Sequence, residues 1–333
     1  MSLAHAFERL DGWQQRAPAV AVPVAVIKKF LDDGADRLGV QVAYWGFFSV
    51  FALLLAFASI LGFAFQSDPG FQRRVLDSTL ERMPVIGPQI SGHVGSLTGS
   101  GVALAVGLVG ALWTGLAGTL ALGNAFDRIW AVPRVKRSGF LRSRLHGLLV
   151  LASVGGATVL ATAAVGLAAG GTWPPLVDAL SVLASAAIDL VLFVASFKLL
   201  TAARLTVAQV LPGAGLATGC WLALQVLGGA YVTKVLKGSS QTYGSFAAVV
   251  GLLSWLLIAA ELTLIAAELN VVLARRLWPR SLTGELLQAD KQSLRDAAQA
   301  AQLDDREQIA VRFAEPARHP AEPVGQKRSD EHS

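Results

Sequence analysis

The chain has 333 residues, of which 53% are hydrophobic and only 15% are charged. An ordinary soluble domain carries about 25% charged residues, so the composition argues against a water-soluble fold. The net charge is +5, but residues 281–333 hold seven basic and ten acidic residues, which leaves 21 basic and 13 acidic residues in the rest of the chain. In a membrane protein such a basic excess is typical of cytoplasmic loops that face anionic lipid, and we expect no nucleic-acid partner.

Residues 1–39 form the predicted cytoplasmic N-terminal segment. They lack the basic start, short apolar run and cleavage site of a secretory signal. From Val24 to Leu38, apolar residues such as Ile27 and Leu31 share the segment with charged residues such as Lys28. This pattern predicts an amphipathic helix that leads into the membrane.

Six long apolar runs follow within residues 40–275. A helix needs about 20 mostly apolar residues to cross the hydrocarbon core, and continuous runs without alternation favour helices over a barrel. We therefore predict an all-α polytopic membrane protein with six transmembrane helices. In chain order, the predicted spans cover residues 40–65, 102–122, 145–169, 176–200, 207–232 and 245–273.

Lys and Arg residues are distributed unequally between the connecting segments. Fifteen lie before the first span, after the second, after the fourth or just after the sixth, whereas five lie in the other connections. The positive-inside rule then places both termini in the cytoplasm. Residues 276–333 form a cytoplasmic tail with a predicted helix that ends near Gln299 and a disordered end from Glu315.

The longest connection, residues 66–101, is predicted to face outward. Asp68 and Pro69 supply a helix cap and a first-turn proline. Four residues spaced four apart then share one helix face, away from Arg73, Arg74 and Asp77, which predicts an amphipathic interfacial helix on the outer leaflet. These positions are Phe71, Val75, Thr79 and Met83.

Small residues spaced four apart allow spanning helices to approach closely. The chain offers Gly107 with Ala111 and Gly115, Gly166 with Gly170, and Gly215 with Gly219. Internal packing of the bundle and formation of a homo-oligomer both remain open as their purpose.

Pro212 and Gly213 lie near the start of the fifth predicted span. Proline removes a backbone donor and so bends or loosens a helix. We therefore predict a hinge at this pair.

Four ionisable residues lie inside the predicted spans: Asp189 and Lys198 in the fourth, Glu261 and Glu268 in the sixth. Charged groups are costly in a bilayer and so often mark a functional site. Both spans run in the same direction, so Asp189 should match Glu261 near the midplane and Lys198 should match Glu268 near the inner end. If the two helices are neighbours, Lys198 and Glu268 form an ion pair. The four residues either line a pathway for a proton or polar head group, or fix the register of the helices.

A basic loop joins the second and third predicted spans. Six Lys or Arg residues lie within seventeen positions there, including Arg134, Lys136 and Arg137. Each would attract anionic lipid phosphate by about 1 kcal/mol, so this loop is a candidate head-group site. Setting the topology is the alternative purpose.

Arrangements typical of enzymes are missing. The five histidines form no metal-binding pair, and the chain contains neither a P-loop nor a Gly-x-Ser-x-Gly motif. The single cysteine, Cys220, has no thiol partner within the chain. We predict that the protein is not an enzyme and uses no cofactor or metal.

Three segments together resemble the YihY/BrkB family of bacterial inner-membrane proteins, particularly its YhjD-like branch. They cover residues 112–134, 210–221 and 242–270. The positions that carry the resemblance are Trp113, Asn124, Trp130, Pro212, Gly213, Tyr243, Gly244, Trp255, Glu268 and Asn270.

The resemblance implies a multi-pass protein of the bacterial inner membrane. The family was formerly mislabelled ribonuclease BN, and its associations are with the cell envelope and with movement of lipids or lipopolysaccharide precursors. Our first hypothesis is a transporter or flippase-like protein for an anionic lipid or other amphiphilic envelope component, with membrane lipids as partners. The alternative is a non-transporting scaffold that recruits envelope-assembly partners.

Overall fold

The computed structural model describes residues 11–64 except 13 and 16, 101–137, 142–153 with 156, 175–231, and 237–313 except 284, 285, 305 and 308. These residues contain helices and no strand, which confirms the predicted all-α class for this part of the chain. The helices are α1 (Pro18–Asp32), α2 (Ala35–Ala64), α3 (Gly101–Ile129), α4 (142–153), α5 (Pro175–Leu200), α6 (Val207–Tyr231), α7 (Lys237–Arg275) and α8 (Gln288–Ala300).

Four helices of the described residues are long and apolar enough to cross a membrane: Ala105–Ile129, Leu183–Leu200, Val207–Gly228 and Val249–Arg275. They correspond to the second, fourth, fifth and sixth predicted spans. The first predicted span coincides with α2, a helix of 30 residues. Most of the third lies outside the described residues. The chain is thus a multi-pass membrane protein, but the number six is not confirmed.

The longest helix, α7, occupies the centre of the described bundle. It packs against α6, α2 and α1 and touches α3, whereas α2 and α3 pack against each other along most of their length. In contrast, α5 packs mainly against α6 and also touches α3. The two helices that carry the predicted pathway residues, α5 and α7, are therefore not closely packed neighbours.

Both ends of the described chain and two of its loops meet at one end of the bundle, which we call the polar end. There the Lys29 ammonium donates to the Ile129 carbonyl at 2.8 Å, and the Ala202 N–H donates to the Asp127 carboxylate at 2.7 Å. The Arg275 guanidinium donates to the Trp130 carbonyl at 2.6 Å. The segments rich in Lys and Arg thus share one end, while the membrane face on which it lies stays a prediction.

The main hydrophobic core lies near the polar end, where α3, α5, α6 and α7 converge. The Phe126 and Phe197 rings meet edge to face at 5.1 Å, and Leu264 and Val271 of α7 are fully buried. Elsewhere large apolar side chains are exposed, as expected where lipid covers the helices. Examples are Trp113 at 72%, Val191 at 65% and Val226 at 74%.

The amphipathic helix near the N-terminus begins and ends earlier than the predicted Val24 to Leu38. It starts at Pro18 and ends at Asp32, and Gly34 adopts a left-handed φ of 62° before α2 starts. Proline favours the first helical turn and glycine the position just after a helix end, so these two residues set the boundaries. As a consequence, Leu38 belongs to α2.

In the tail, α8 confirms a helix near Gln299, although residues 281–283 and 286–287 are irregular. The predicted interfacial helix within residues 66–101 and the predicted disordered end from Glu315 both lie outside the described residues.

The small-residue positions differ in their surroundings. A Cβ at Gly115 would lie 2.9 Å from Leu151 of α4, so Gly115 serves packing within the bundle. A Cβ at Gly215 or Gly219 would meet no atom of the described structure within 4 Å. The pair Gly166 and Gly170 lies outside the described residues.

Candidate functional site

A buried ion pair joins α1 to the central helix. The Lys29 ammonium lies 3.0 Å from the carboxylate of Glu268 and 2.5 Å from that of Asp33. The Glu268 side chain is completely buried, and only 5% of the Lys29 side chain is exposed. The predicted ion pair between Lys198 and Glu268 is therefore wrong. Its cation comes instead from α1, because α5 packs against α6 and α3 rather than against this part of α7.

Glu261 lies beside the first turns of α2. A Cβ at Gly39 would be 3.2 Å from Cγ of Glu261, and Gly39 is only four residues beyond the start of α2. Glu261 is half-buried there. It therefore lies closer to the polar end than the predicted midplane position.

Asp189 and Glu261 are not at the same depth. Phe193 and Ser196 of α5 line a cavity together with Ala260 of α7, so this part of α5 is level with Glu261. Asp189 lies roughly one to two helical turns farther from the polar end. The predicted depth match of Asp189 with Glu261 is thus not observed, because α7 extends well past α5 at the polar end.

Lys198 is half-buried near the polar end of α5. Within the described residues it forms no salt bridge. The predicted role of Asp189, Lys198, Glu261 and Glu268 in a pathway stays a prediction, with the four residues at three different levels.

A cavity of about 220 Å³ lies between α2, α3, α5 and α7. Its walls are mostly apolar, and the Thr263 hydroxyl donates to the Ala259 carbonyl of its own helix at 2.8 Å. Since an apolar cavity of about 150 Å³ can hold benzene, this one has room for a short stretch of hydrocarbon. Its lining comprises Val42, Ala43, Gly46, Leu122, Phe193, Ser196, Leu256, Ala259, Ala260 and Thr263.

The predicted hinge at Pro212 and Gly213 lies at a close contact between α6 and α7. The Gly213 N–H donates to the Asn270 side-chain oxygen at 2.6 Å, and a Cβ at Gly213 would overlap the Ala266 carbonyl. The α6 helix runs through Pro212 without interruption. Motion at this pair stays a prediction, but the contact that the structure shows here is close helix packing, which the sequence analysis did not predict at Gly213.

The described part of the basic loop after α3 contains a 3₁₀ turn, Arg134–Lys136. Arg134 and Lys136 are exposed, whereas Arg137 is half-buried and donates to the Val132 carbonyl at 3.3 Å. Burial lowers the pKa of the Arg137 guanidinium, an effect that the nearby Asp127 carboxylate opposes. Arg134 and Lys136 therefore remain the more accessible candidates for a lipid head group, and their role stays a prediction.

The tail docks on α1 through the buried carboxylate of Asp290. It accepts hydrogen bonds from Lys28 and Arg280, both at 2.9 Å, and from the Ser281 N–H at 3.1 Å. Arg280 is itself buried and also binds Asp32 at 2.8 Å. Burial alone would raise the pKa of Asp290, but these hydrogen bonds outweigh it and lower the pKa. Sequence reasoning missed this docking because its partners are distant along the chain.

Asp11 holds the irregular segment that precedes α8. Its carboxylate accepts hydrogen bonds from Gln14 at 2.9 Å, from the Leu282 N–H at 3.0 Å and from the Thr283 hydroxyl at 3.0 Å. Burial raises the pKa of Asp11, but the hydrogen bonds dominate and lower it to about 2. The N-terminal segment and the tail therefore form one unit at the polar end.

Potential metal ligands are dispersed. Within the described ranges, no three His, Cys, Asp or Glu side chains lie together in a way that could hold a metal ion. His146 lines a small polar cavity of about 30 Å³ with Asn124, Asp127 and Ser143 beside the basic loop.

A family model described as Virulence factor BrkB matches residues 26–288, well over half of the chain. The chain belongs to the Virulence factor BrkB family. The matched range includes Lys29, Gly213, Glu268 and Asn270, so the principal contacts of α7 lie within the BrkB region. Comparisons with curated proteins and with solved structures give no match. The family membership confirms the resemblance found in the sequence.

Proposed function

We propose that this BrkB family protein acts in the inner membrane as a transporter or flippase-like protein for an anionic lipid or other amphiphilic envelope component. The observation that supports this proposal most directly is the apolar cavity between α2, α3, α5 and α7. An amphiphile in transit needs an apolar surface for its chains and polar groups for its head. The bundle offers the first in the cavity and the second at the polar end.

The proposed orientation places the polar end in the cytoplasm. Cytoplasmic segments of membrane proteins carry an excess of Lys and Arg, and most basic residues of the described part of the chain lie at that end. They would raise the local concentration of anionic head groups in the inner leaflet. A lipid would then enter the bundle from the cytoplasmic side.

The four intramembrane charges take different parts in this proposal. Glu261 and Lys198 lie near the level of the cavity and would face the head group first. Asp189 lies farther from the polar end, so the head group would reach it later. Glu268, paired with Lys29, would anchor α1 against α7 while the lipid moves.

Translocation in liposomes tests the proposal. The full chain is reconstituted into vesicles that contain acyl-labelled fluorescent phosphatidylglycerol, and dithionite then quenches the label in the outer leaflet. The assay is run with and without an imposed pH gradient and membrane potential. Quenching beyond the outer-leaflet fraction, absent from protein-free vesicles, supports transport. Quenching equal to that of protein-free vesicles under every condition contradicts it.

Exposed leucines in the tail favour the second candidate, a scaffold. Leu286, Leu294 and Leu303 are exposed by 45%, 46% and 66% although they lie beyond the membrane helices. The opposite side of α8 is occupied, since Asp296 binds Arg275 at 2.6 Å. A scaffold would capture an envelope-assembly protein in a pull-down that fails with Leu294→Ser and Leu303→Ser, and it would show no lipid translocation.

A further inference from the structure

A groove of about 610 Å³ opens on the outside of α2 at the polar end. One helical face of α2 forms most of it, and Arg128 near the end of α3 closes one side. Arg37 and Arg128 supply two guanidinium groups, and Tyr44 and Trp45 supply two aromatic rings.

We infer that this groove binds the phosphate head group of an anionic phospholipid between Arg37 and Arg128, with the acyl chains along the aromatic face of α2. The inference rests on the proposed function in taking lipid as the substrate, and it deepens that function by locating the head group. It also differs from the sequence-based candidate, the loop at Arg134, Lys136 and Arg137.

The charge of the groove is not neutralised by any salt bridge among the described residues. Both guanidiniums are exposed, and neither forms a salt bridge in the described part of the chain. Their acidic neighbours in sequence, Asp36 and Asp127, do not line the groove, and Asp127 is occupied by the Ala202 N–H. Two guanidiniums that line the same groove without a carboxylate are a favourable arrangement for phosphate, which arginine binds through paired N–H groups.

The apolar half of the groove continues in the direction of the membrane. Val40, Tyr44 and Phe48 are exposed by 56%, 52% and 43% on successive turns of α2. The Tyr44 ring meets the Trp45 ring at 5.4 Å and the Phe48 ring at 4.9 Å. Seven residues separate Arg37 from Tyr44, or about 10 Å along the helix, which suits a lipid with its phosphate at the arginines and its chains beside the rings.

Gly34 shapes the polar end of the groove. It has a left-handed φ of 62°, and the Arg37 guanidinium lies so close that a Cβ at this position would overlap it. The turn between α1 and α2 thus leaves the space that the Arg37 side chain occupies. The guanidinium is held at the groove rather than extended away from it.

Lipid binding in detergent tests the inference without requiring translocation. The purified full chain in non-ionic detergent is titrated with acyl-labelled phosphatidylglycerol and, in parallel, with acyl-labelled phosphatidylcholine. The double variant Arg37→Gln with Arg128→Gln should weaken phosphatidylglycerol binding by about tenfold or more and leave phosphatidylcholine binding unchanged. The control, Arg204→Gln with Arg276→Gln, removes two exposed arginines from the same end outside the groove and should bind both lipids as the wild type does.

Three results would contradict the proposed head-group site in the groove. The first is equal affinity of the double variant and the wild type for phosphatidylglycerol. The second is loss of binding in Arg134→Gln with Lys136→Gln while the groove variant binds normally. The third is complete displacement of the labelled lipid by inorganic phosphate, which would make the occupant a free anion rather than a lipid.

The two proposals fail in different ways. If the wild type binds phosphatidylglycerol through Arg37 and Arg128 but moves no lipid across the liposome membrane, the proposed head-group site is supported and the transport proposal is contradicted. If the wild type translocates lipid but the groove variant binds phosphatidylglycerol normally, the transport proposal is supported and the proposed head-group site is contradicted.

Discussion

At the scale of single residues, Lys29 is a buried charge with three polar partners. Its ammonium is buried against the carboxylates of Glu268 and Asp33 and the carbonyl of Ile129. Removing one partner of a buried ion pair leaves the other charge unpaired, which typically costs about 3–5 kcal/mol. These contacts therefore help to hold α1 against α7.

We expect Lys29→Met to lower the free energy of unfolding in detergent by several kcal/mol, on the order of the 3–5 kcal/mol that such pairs cost. The double variant Lys29→Met with Glu268→Gln should recover part of this loss, because it removes the unpaired carboxylate. Asp36→Asn, at an exposed carboxylate nearby, serves as the control and should change stability by less than about 0.5 kcal/mol. Strictly additive losses in the double variant would contradict the pairing.

Asp11 predicts a pH dependence at the polar end. Its pKa is lowered from 3.8 to about 2, so the folded state favours the carboxylate. The stabilisation is therefore fully present above about pH 4 and is lost as the pH falls towards 2. Hydrogen exchange at the Leu282 amide, corrected for the intrinsic rate, should show protection at pH 5 that weakens in this range. The variant Asp11→Asn should lack this change, and an identical pH profile would argue against the contact.

At the scale of helices, the crossing of α6 and α7 at Gly213 gives a matched set of substitutions. Gly213→Ala would force a Cβ against the Ala266 carbonyl and the Asn270 side chain, and overpacking of this kind costs about 1–3 kcal/mol. Gly215→Ala and Gly219→Ala lie on the same helix in open space and should be neutral or stabilising by up to about 1 kcal/mol. Unfolding in detergent measures all three. Equal stability of all three variants would disprove the close contact.

The same helices show what the sequence could and could not predict. Long apolar runs predicted α3, α5, α6 and α7 because length and composition alone decide whether a helix can span a bilayer. The partner of Glu268 was not predictable, since it depends on which helices are neighbours. Lys198 is at a plausible position along the chain, but α5 packs against α6, and the cation comes from Lys29 on a helix predicted only as amphipathic.

The boundaries of the helices were predicted less well than their existence, because they depend on local backbone conformation. The break between α1 and α2 rests on Gly34 and its left-handed backbone, whereas the amphipathic pattern runs on to Leu38. The docking of α8 depends on Asp290, which hydrophobic periodicity does not detect. Polar contacts between segments that are distant along the chain are thus the part of the site that could not be predicted from the sequence.

At the scale of the whole molecule, the BrkB protein combines a polar end held by ion pairs with a membrane region that contains an apolar cavity. Charge counting correctly grouped the N-terminal segment, the loops after α3 and α5, and the tail at one end. The cavity could not be predicted, because its lining residues are ordinary apolar side chains from four helices. The all-helical, membrane-spanning class therefore follows from composition, whereas the proposed route for lipid follows only from packing.

Filling the cavity tests the proposed route most directly. Ala259→Leu places added volume in the cavity, and the control Ala223→Leu adds the same volume on an exposed face of α6. Both variants are reconstituted at equal density, and translocation of labelled phosphatidylglycerol is measured. We predict that Ala259→Leu slows translocation several-fold while Ala223→Leu retains the wild-type rate. Equal rates in the two variants would contradict a route through the cavity.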